Sequence, residues 1–146
     1  MKVVVQRSLD SSVTIDSKVV GEIKSGLVLL VGFTPGDTEK EIDYMVKKVL
    51  NLRIFDDENG VMNKSILDVG GEILSISQFT LYGNAEKGNR PSYINAMRGE
   101  EATVLYDLFN SKLREHIKVE TGVFGADMLV KINNNGPVTI LLEKEA

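Results

Sequence analysis

Two short polar islands carry the side chains of this chain that could do chemistry. The first, Ser77-Gln78-Phe79-Thr80, interrupts an apolar stretch with two hydroxyls and an amide. Such groups in a core strand must bond to backbone, water or a ligand. In a regular strand, Ser77 and Phe79 face one way and Gln78 and Thr80 the other. The second island, Asn135-Gly136-Pro137-Val138-Thr139, sets glycine before proline, a tight-turn signal. Ordinary internal hydrogen bonds at the first island and a plain hairpin turn at the second are the structural alternatives. Spacing alone does not decide between them.

Other chemistries are narrowed by composition. The chain has 146 residues, no cysteine and one histidine, His116. Disulfides, thiolate metal sites and cysteine nucleophiles are excluded. One chain cannot build a multi-histidine metal site, and any Ser-His-Asp triad must run through His116. That residue falls near a helix end, where the dipole favours a cation, and a capping or structural role is the simpler reading. Asp56-Asp57 and Glu100-Glu101 read as a turn and a helix start, and no EF-hand, Walker loop or dinucleotide fingerprint is present. Seventeen basic and 21 acidic residues give a net charge of -4, which argues against holding nucleic acid by overall charge. A local basic patch is still allowed, because screening limits repulsion from remote acids to about 8–10 Å. Lys87, Arg90 and Arg98 are its candidates. No apolar run reaches the ~18 residues of a membrane span, and the N-terminus lacks a leader pattern. A single cytoplasmic domain over 1–146 is the expectation.

The elements that must position these islands follow from periodicity. Lys2 to Ile15 is rich in β-branched residues, Asp16-Ser17-Lys18 is a turn, and Val19 to Ile23 returns. Leu27 to Phe33 is a continuous apolar run suited to a strand buried on both faces, and this opening suggests a meander. Thr38 and Glu41 have capping-box spacing. Ile42, Met45, Val46, Val49 and Leu50 then share one helical face. Arg53-Ile54-Phe55 leads into a hairpin with its corner at Asn59-Gly60. A strand is expected over Glu72 to Tyr82, a second helix over about Glu100 to Ile117, and last strands near Met128–Ile132 and Val138–Glu143. The fold class expected is α/β of the α+β type: a mainly antiparallel sheet or partial barrel with two helices packed on it.

Both islands resemble the signature motifs of the D-aminoacyl-tRNA deacylases. Gln6-Arg7, Arg53-Ile54-Phe55, Met62-Asn63, Arg90-Pro91-Ser92 and Thr121-Gly122-Val123-Phe124-Gly125-Ala126-Asp127-Met128 also sit in order at family-like spacing. The resemblance covers Met1 to about Leu142. It departs at Ser8, where a small apolar residue is expected, and in the loop after Leu81.

The resemblance implies a homodimer that cleaves the ester between a D-amino acid and the 3′ end of tRNA, with no metal or other cofactor. It implies that Gln78 and Thr80 are catalytic and that Ser77 and Phe79 line the pocket. Two mechanisms stay open. In one, Thr80 attacks the ester while Gln78 and strand N–H groups hold the oxyanion, but a threonine nucleophile needs a base and none is evident. In the preferred one, main-chain and Gln78 donors orient the ester and the ribose 2′-hydroxyl helps activate water. The family's Gly-Pro step is cis and enters the neighbouring subunit's site; here it is Gly136-Pro137. It rejects L substrates sterically, so glycyl-tRNA should be cleaved to some degree. Arg7 resembles the arginine that holds this loop, or is a strand-end surface charge. Phe124 and Met128 resemble pocket walls, or are plain core. A non-cleaving nucleotide or nucleic-acid binder of the same fold, and a hydrolase of another D-amino acid ester or amide, are the competing readings.

Overall fold

A computed structural model describes residues 1–146. Ten strands and three helices run in the order β1 (Lys2–Ser8), β2 (Ser11–Ile15), β3 (Lys18–Ile23), β4 (Gly26–Gly32), α1 (Glu39–Asn51), β5 (Phe55–Asp56), β6 (Met62–Lys64), α2 (Ile66–Val69), β7 (Glu72–Ser77), α3 (Gly99–Arg114), β8 (Val119–Thr121), β9 (Leu129–Lys131) and β10 (Asn134–Glu143), with a 3-10 turn at Phe79–Tyr82 after β7. The expected mixed α/β class holds, with two long helices and one helix of a single turn.

The main sheet has five strands in the order β10-β1-β4-β7-β8, and a smaller sheet has the order β3-β2-β9. Most ladders are antiparallel, but β4–β7 and β7–β8 are parallel. Side-chain alternation sends Leu27, Leu29 and Val31 of β4 into one core with Ile42, Met45 and Val49 of α1 and Phe109 and Leu113 of α3. Val28 of β4 and Leu74 and Ile76 of β7 face the other way, onto Val13 and Ile23 of the small sheet. The central sheet is thus covered by helices on one face and strands on the other. That explains why β4 reads as an unbroken apolar run.

Helix α1 forms as its local signals dictate. Thr38 caps it, the reciprocal Glu41 bond closes the box, and the five apolar residues named above are buried. Each fully buried side chain of this kind contributes about 1.5–3 kcal/mol of transfer free energy. Helix α2 has the same device, Ser65 with Asp68, which the sequence reading passed over. Asp16 and Ser17, both with positive φ, make the two-residue corner of the β2–β3 hairpin.

Several expectations are corrected. The opening is not a meander: β2 and β3 peel off into the small sheet, and β4 returns to pair with β1. Strand β7 stops at Ser77 rather than Tyr82, so the alternation expected across Gln78, Phe79 and Thr80 does not exist. The last two strands do not form a hairpin, because β9 joins β2 and β10 joins β1. Helix α3 ends at Arg114, leaving His116 in the turn beyond its cap. Strand β8 is additional to the expected strands and pairs with β7.

Candidate active site

The end of the parallel pair β4–β7 creates the first half of the site. Gly32 closes β4 in close quarters: a Cβ there would lie 3.0 Å from the Gln78 carbonyl oxygen and 3.2 Å from Leu81 Cβ, so the turn would have to give way to admit it. The turn Phe79–Tyr82 therefore folds tightly over the strand end. Gln78 anchors it, donating its backbone N–H to Val31 O at 2.7 Å. At the start of such a turn the N–H groups of Phe79 and Thr80 have no partner within the helix. The Gln78 amide Nε2 donates to Thr80 Oγ1 at 2.5 Å. Beneath the turn, Tyr82 is buried; burial raises its hydroxyl pKa well above the usual value, and the negative charge of Asp37 adds to the effect.

Beside this turn lies a cleft of about 300 Å³ with mostly apolar walls. Ser77, Gln78 and Phe79 line one side, and Phe124 and Met128 of the β8–β9 connection line the other. Phe124 is backed by Tyr106 of α3, ring centroids 5.9 Å apart, and Tyr106 is fixed in turn by its hydroxyl donating to Ser75 O at 2.8 Å. Gly122 lets Met128 lie close, since a Cβ at that glycine would collide with the Met128 sulfur. Thr80 is exposed at the edge of the cleft, outside its lining. Met97 and Asp127 also line it, and sequence reasoning missed both as site residues. Asp127 stood within a quoted motif and is the one carboxylate in the wall; Met97 carries no sequence signal. His116 lies in a separate groove with Lys112 and Glu115 and does not reach the cleft. An apolar cleft with a few polar groups in its wall suits an organic substrate presenting a polar reacting centre.

Arg7, Gly136 and Pro137 form a second group. Arg7 is buried at 9% exposure. Its Nε donates to Asn135 O at 3.1 Å, and its Nη1 to Ile54 O at 2.9 Å and Asp56 Oδ1 at 3.3 Å. It is therefore not a surface charge but the clamp of the Asn135–Pro137 segment. Asn134 braces the same segment, its Oδ1 accepting from Val138 N at 3.0 Å. Gly136 has φ +129°, and a Cβ there would lie 3.0 Å from Arg7 Nη2. The Gly136-Pro137 peptide is cis. Opposite Arg7 the β1–β10 ladder shifts register, so residues 135–138 bulge from the strand instead of turning a hairpin. Gly136 and Pro137 are exposed, and neither they nor Arg7 lines the cleft of their own chain. In the β1–β4 ladder Arg7 pairs with Leu27 while Lys2 pairs with Gly32, so the two groups occupy opposite ends of the sheet.

The chain is similar to known proteins along its whole length. The family model described as D-Tyr-tRNA(Tyr) deacylase matches residues 4–143. A Brevibacillus brevis protein named D-aminoacyl-tRNA deacylase is 58% identical over 144 residues, covering 98% of this chain and 99% of its own. One of the same name from Clostridium tetani is 56% identical over 146 residues, covering 99% and 98%. A solved structure called c-Myc DNA Unwinding Element Binding Protein superposes with a TM-score of 0.94 at 45% identity, covering both chains fully. Another, of a "probable eukaryotic D-amino acid tRNA deacylase", has a TM-score of 0.83 at 18% identity over 97% of each chain, a likeness of fold.

Proposed function

The chain belongs to the D-Tyr-tRNA(Tyr) deacylase family, and from that premise we propose how its own residues carry out the family's reaction. The protein is a D-aminoacyl-tRNA deacylase, a hydrolase. Water adds to the ester carbonyl joining a D-amino acid to the 3′ ribose of tRNA; the C–O bond to the ribose breaks, and free D-amino acid and tRNA leave.

One observation carries the reading: the start of the tight turn, with the Gln78 amide and the Phe79 backbone N–H as available donors, lines an apolar cleft, and Thr80 beside it accepts from that amide. These donors hold the carbonyl oxygen as it becomes an oxyanion. Removing one such donor costs about 3–4 kcal/mol in other hydrolases, so they supply a large share of the rate. Thr80 accepts a hydrogen bond from Gln78 and positions that amide. Its own proton has no histidine to receive it, since His116 lies in another groove. In this reading the attacking group is water, activated with help from the substrate's ribose 2′-hydroxyl, rather than the Thr80 hydroxyl. Ser77, Phe79, Phe124 and Met128 hold the aminoacyl and adenosine groups.

Gly136 and Pro137 serve the cleft of a second copy in a homodimer. The five steps from Leu27 to Gly32 along β4 span about 16 Å, too far for the segment to reach its own cleft. Strand β10 is the outer strand of its sheet, and the segment is exposed on it. Held by Arg7, the Gly136 and Pro137 carbonyls leave room at the substrate's α-carbon for a hydrogen but not for an L side chain. Selectivity then comes from rejection of the wrong hand, and glycyl esters, having no side chain, are cleaved as well. The whole chain acts as one domain. No helix is long and apolar enough to cross a membrane, and the tRNA substrate fits a cytoplasmic enzyme.

The test is hydrolysis of D-Tyr-tRNA, L-Tyr-tRNA and glycyl-tRNA in the presence of EDTA. The first should be lost rapidly, the third more slowly, and the second spared. Equal cleavage of both hands would remove the chiral filter, and inhibition by EDTA would remove the metal-free reaction.

A further inference from the structure

A basic groove on the outer side of α1 has no part in the site described above. Its cavity, about 490 Å³, is lined by Tyr44, Lys47, Lys48, Asn51, Leu52 and Arg53, with no carboxylate among them. Lys144, just beyond β10, joins it: its Nζ lies 5.1 Å from the centre of the Tyr44 ring, and Lys48 Nζ lies 5.6 Å from the same ring. Lys47, Lys48 and Lys144 make no ion pair, whereas Lys112 of α3 is taken up by Glu39 and Asp43. In a chain of net charge -4, three unpaired ammonium groups and a guanidinium around one groove are a local reversal of sign. Packing two of the ammonium groups on one ring also fixes their long stems, so little side-chain freedom remains to be lost on binding.

The groove is linked to the cleft. Lys2 Nζ donates to Leu81 O in the turn that bears Gln78 and sits 4.8 Å over the Tyr82 ring. Across the β1–β10 ladder Lys2 faces Glu143, and Lys144 N donates to Met1 O at 3.0 Å. Glu143 lies 3.9 Å from Lys2 and offsets its charge, so the free positive charge begins at Lys144 and runs through Lys48 to Lys47, with Arg53, whose Nε and Nη2 already donate to Asn63, closing the far end. A polyanion whose end lies in the cleft would leave it along this line.

We infer that the groove formed by Tyr44, Lys47, Lys48 and Arg53, extended by Lys144, binds the phosphate backbone of the tRNA acceptor arm while the aminoacylated 3′ end occupies the cleft. This rests on the deacylase reading and deepens it by assigning the RNA a path across the protein. Phosphate contacts of this kind supply affinity and register without reading sequence. The Tyr44 ring is occupied by two cations, so it organises the lysines rather than stacking on a base.

The test is a triple variant, Lys47→Gln, Lys48→Gln and Lys144→Gln, at exposed or half-exposed positions. Binding of uncharged tRNA is measured across a salt series. Hydrolysis is measured on D-Tyr-tRNA and on 3′-D-tyrosyl-adenosine, which has no acceptor arm. Each lost phosphate contact should lower the salt slope of log K by about 0.7–0.9. The slope should therefore fall by about 2, tRNA affinity should fall about tenfold or more, and KM for D-Tyr-tRNA should rise to match. Hydrolysis of the adenosine ester should be unchanged. An unaltered salt slope overturns the proposal, as does an equal loss on both substrates. So does a larger loss from Lys87→Gln with Arg90→Gln than from the triple variant. The binding arm is independent of catalysis: if the wild type binds tRNA through these lysines but cleaves neither ester, the deacylase reading fails and the groove stands.

Discussion

Arg7 Nε donates to the carbonyl oxygen of Asn135 at 3.1 Å, joining residues 128 positions apart in the chain. The same guanidinium holds Ile54 O and Asp56 Oδ1. One side chain thereby ties the end of β1, the approach to the β5–β6 hairpin and the Gly136-Pro137 segment into one unit. Planar, forked donors make this possible; a lysine is a point charge and cannot reach three acceptors in two directions.

Arg7→Met leaves the Ile54 and Asn135 carbonyls without their donor. Thermal unfolding should show a Tm lower by about 5–10 °C, consistent with orphaned buried acceptors. Arg7→Lys should recover little of it. Discrimination between D-Tyr-tRNA and L-Tyr-tRNA should weaken in both variants if the segment is the chiral filter.

Gly136→Ala forces a Cβ onto a residue at φ +129° and to within 3.0 Å of Arg7 Nη2. The segment must shift, and a displacement of this order at a reacting centre costs about a hundredfold in rate. Steady-state kinetics should show that loss in kcat/KM, with the circular dichroism spectrum unchanged. Wild-type kinetics would place the segment outside the site.

If the Gln78 amide holds the oxyanion as proposed, single-turnover hydrolysis of D-Tyr-tRNA by Gln78→Ala should slow by about 10²–10³-fold. Thr80→Val removes only the acceptor that orients the amide, so a smaller drop is expected. A larger loss at Thr80 than at Gln78 would restore the threonine nucleophile.

The Glu41 carboxyl is held below the ordinary 4.5, first by the Thr38 hydroxyl and then by the Thr38 backbone N–H. A depressed folded pKa stabilises the protein above the unfolded value, and that stability is lost as pH falls through the folded value. Urea midpoints followed downward from about pH 6 should therefore decline on the acid side of 4.5. Glu41→Gln should decline less steeply. Thr38→Ala should lower stability by about 1 kcal/mol at neutral pH through the lost cap.

What could be read from the sequence divides by range. Helix α1 was legible to its cap, because a capping box and a 3.6-residue stripe are local signals. The pairing of β1 with β4 and β10 was not, since β2 alternates much as β1 does and nothing local says which strand leaves for the other sheet. Phe79 to Tyr82 has strand-forming residues, yet the chain turns there because β4 ends at Gly32 and offers no further ladder. Ser77 and Gln78 stood out as polar groups in an apolar run. Met97 arrives from a distant loop, and no spacing announces it. Nor could the sequence show that Arg7 and Gly136 stand at the far end of the sheet from Gln78; only the register does.

The register break opposite Arg7 also bears on solubility. An outer strand of ten residues with Leu141 55% exposed is a natural template for stray chains. Because residues 135–138 bulge, regular pairing runs only from Thr139 to Glu143. That run is shorter than the roughly six or seven residues that steric zippers need. The distortion that shapes the Gly136-Pro137 segment thus also blunts the edge against fibril growth.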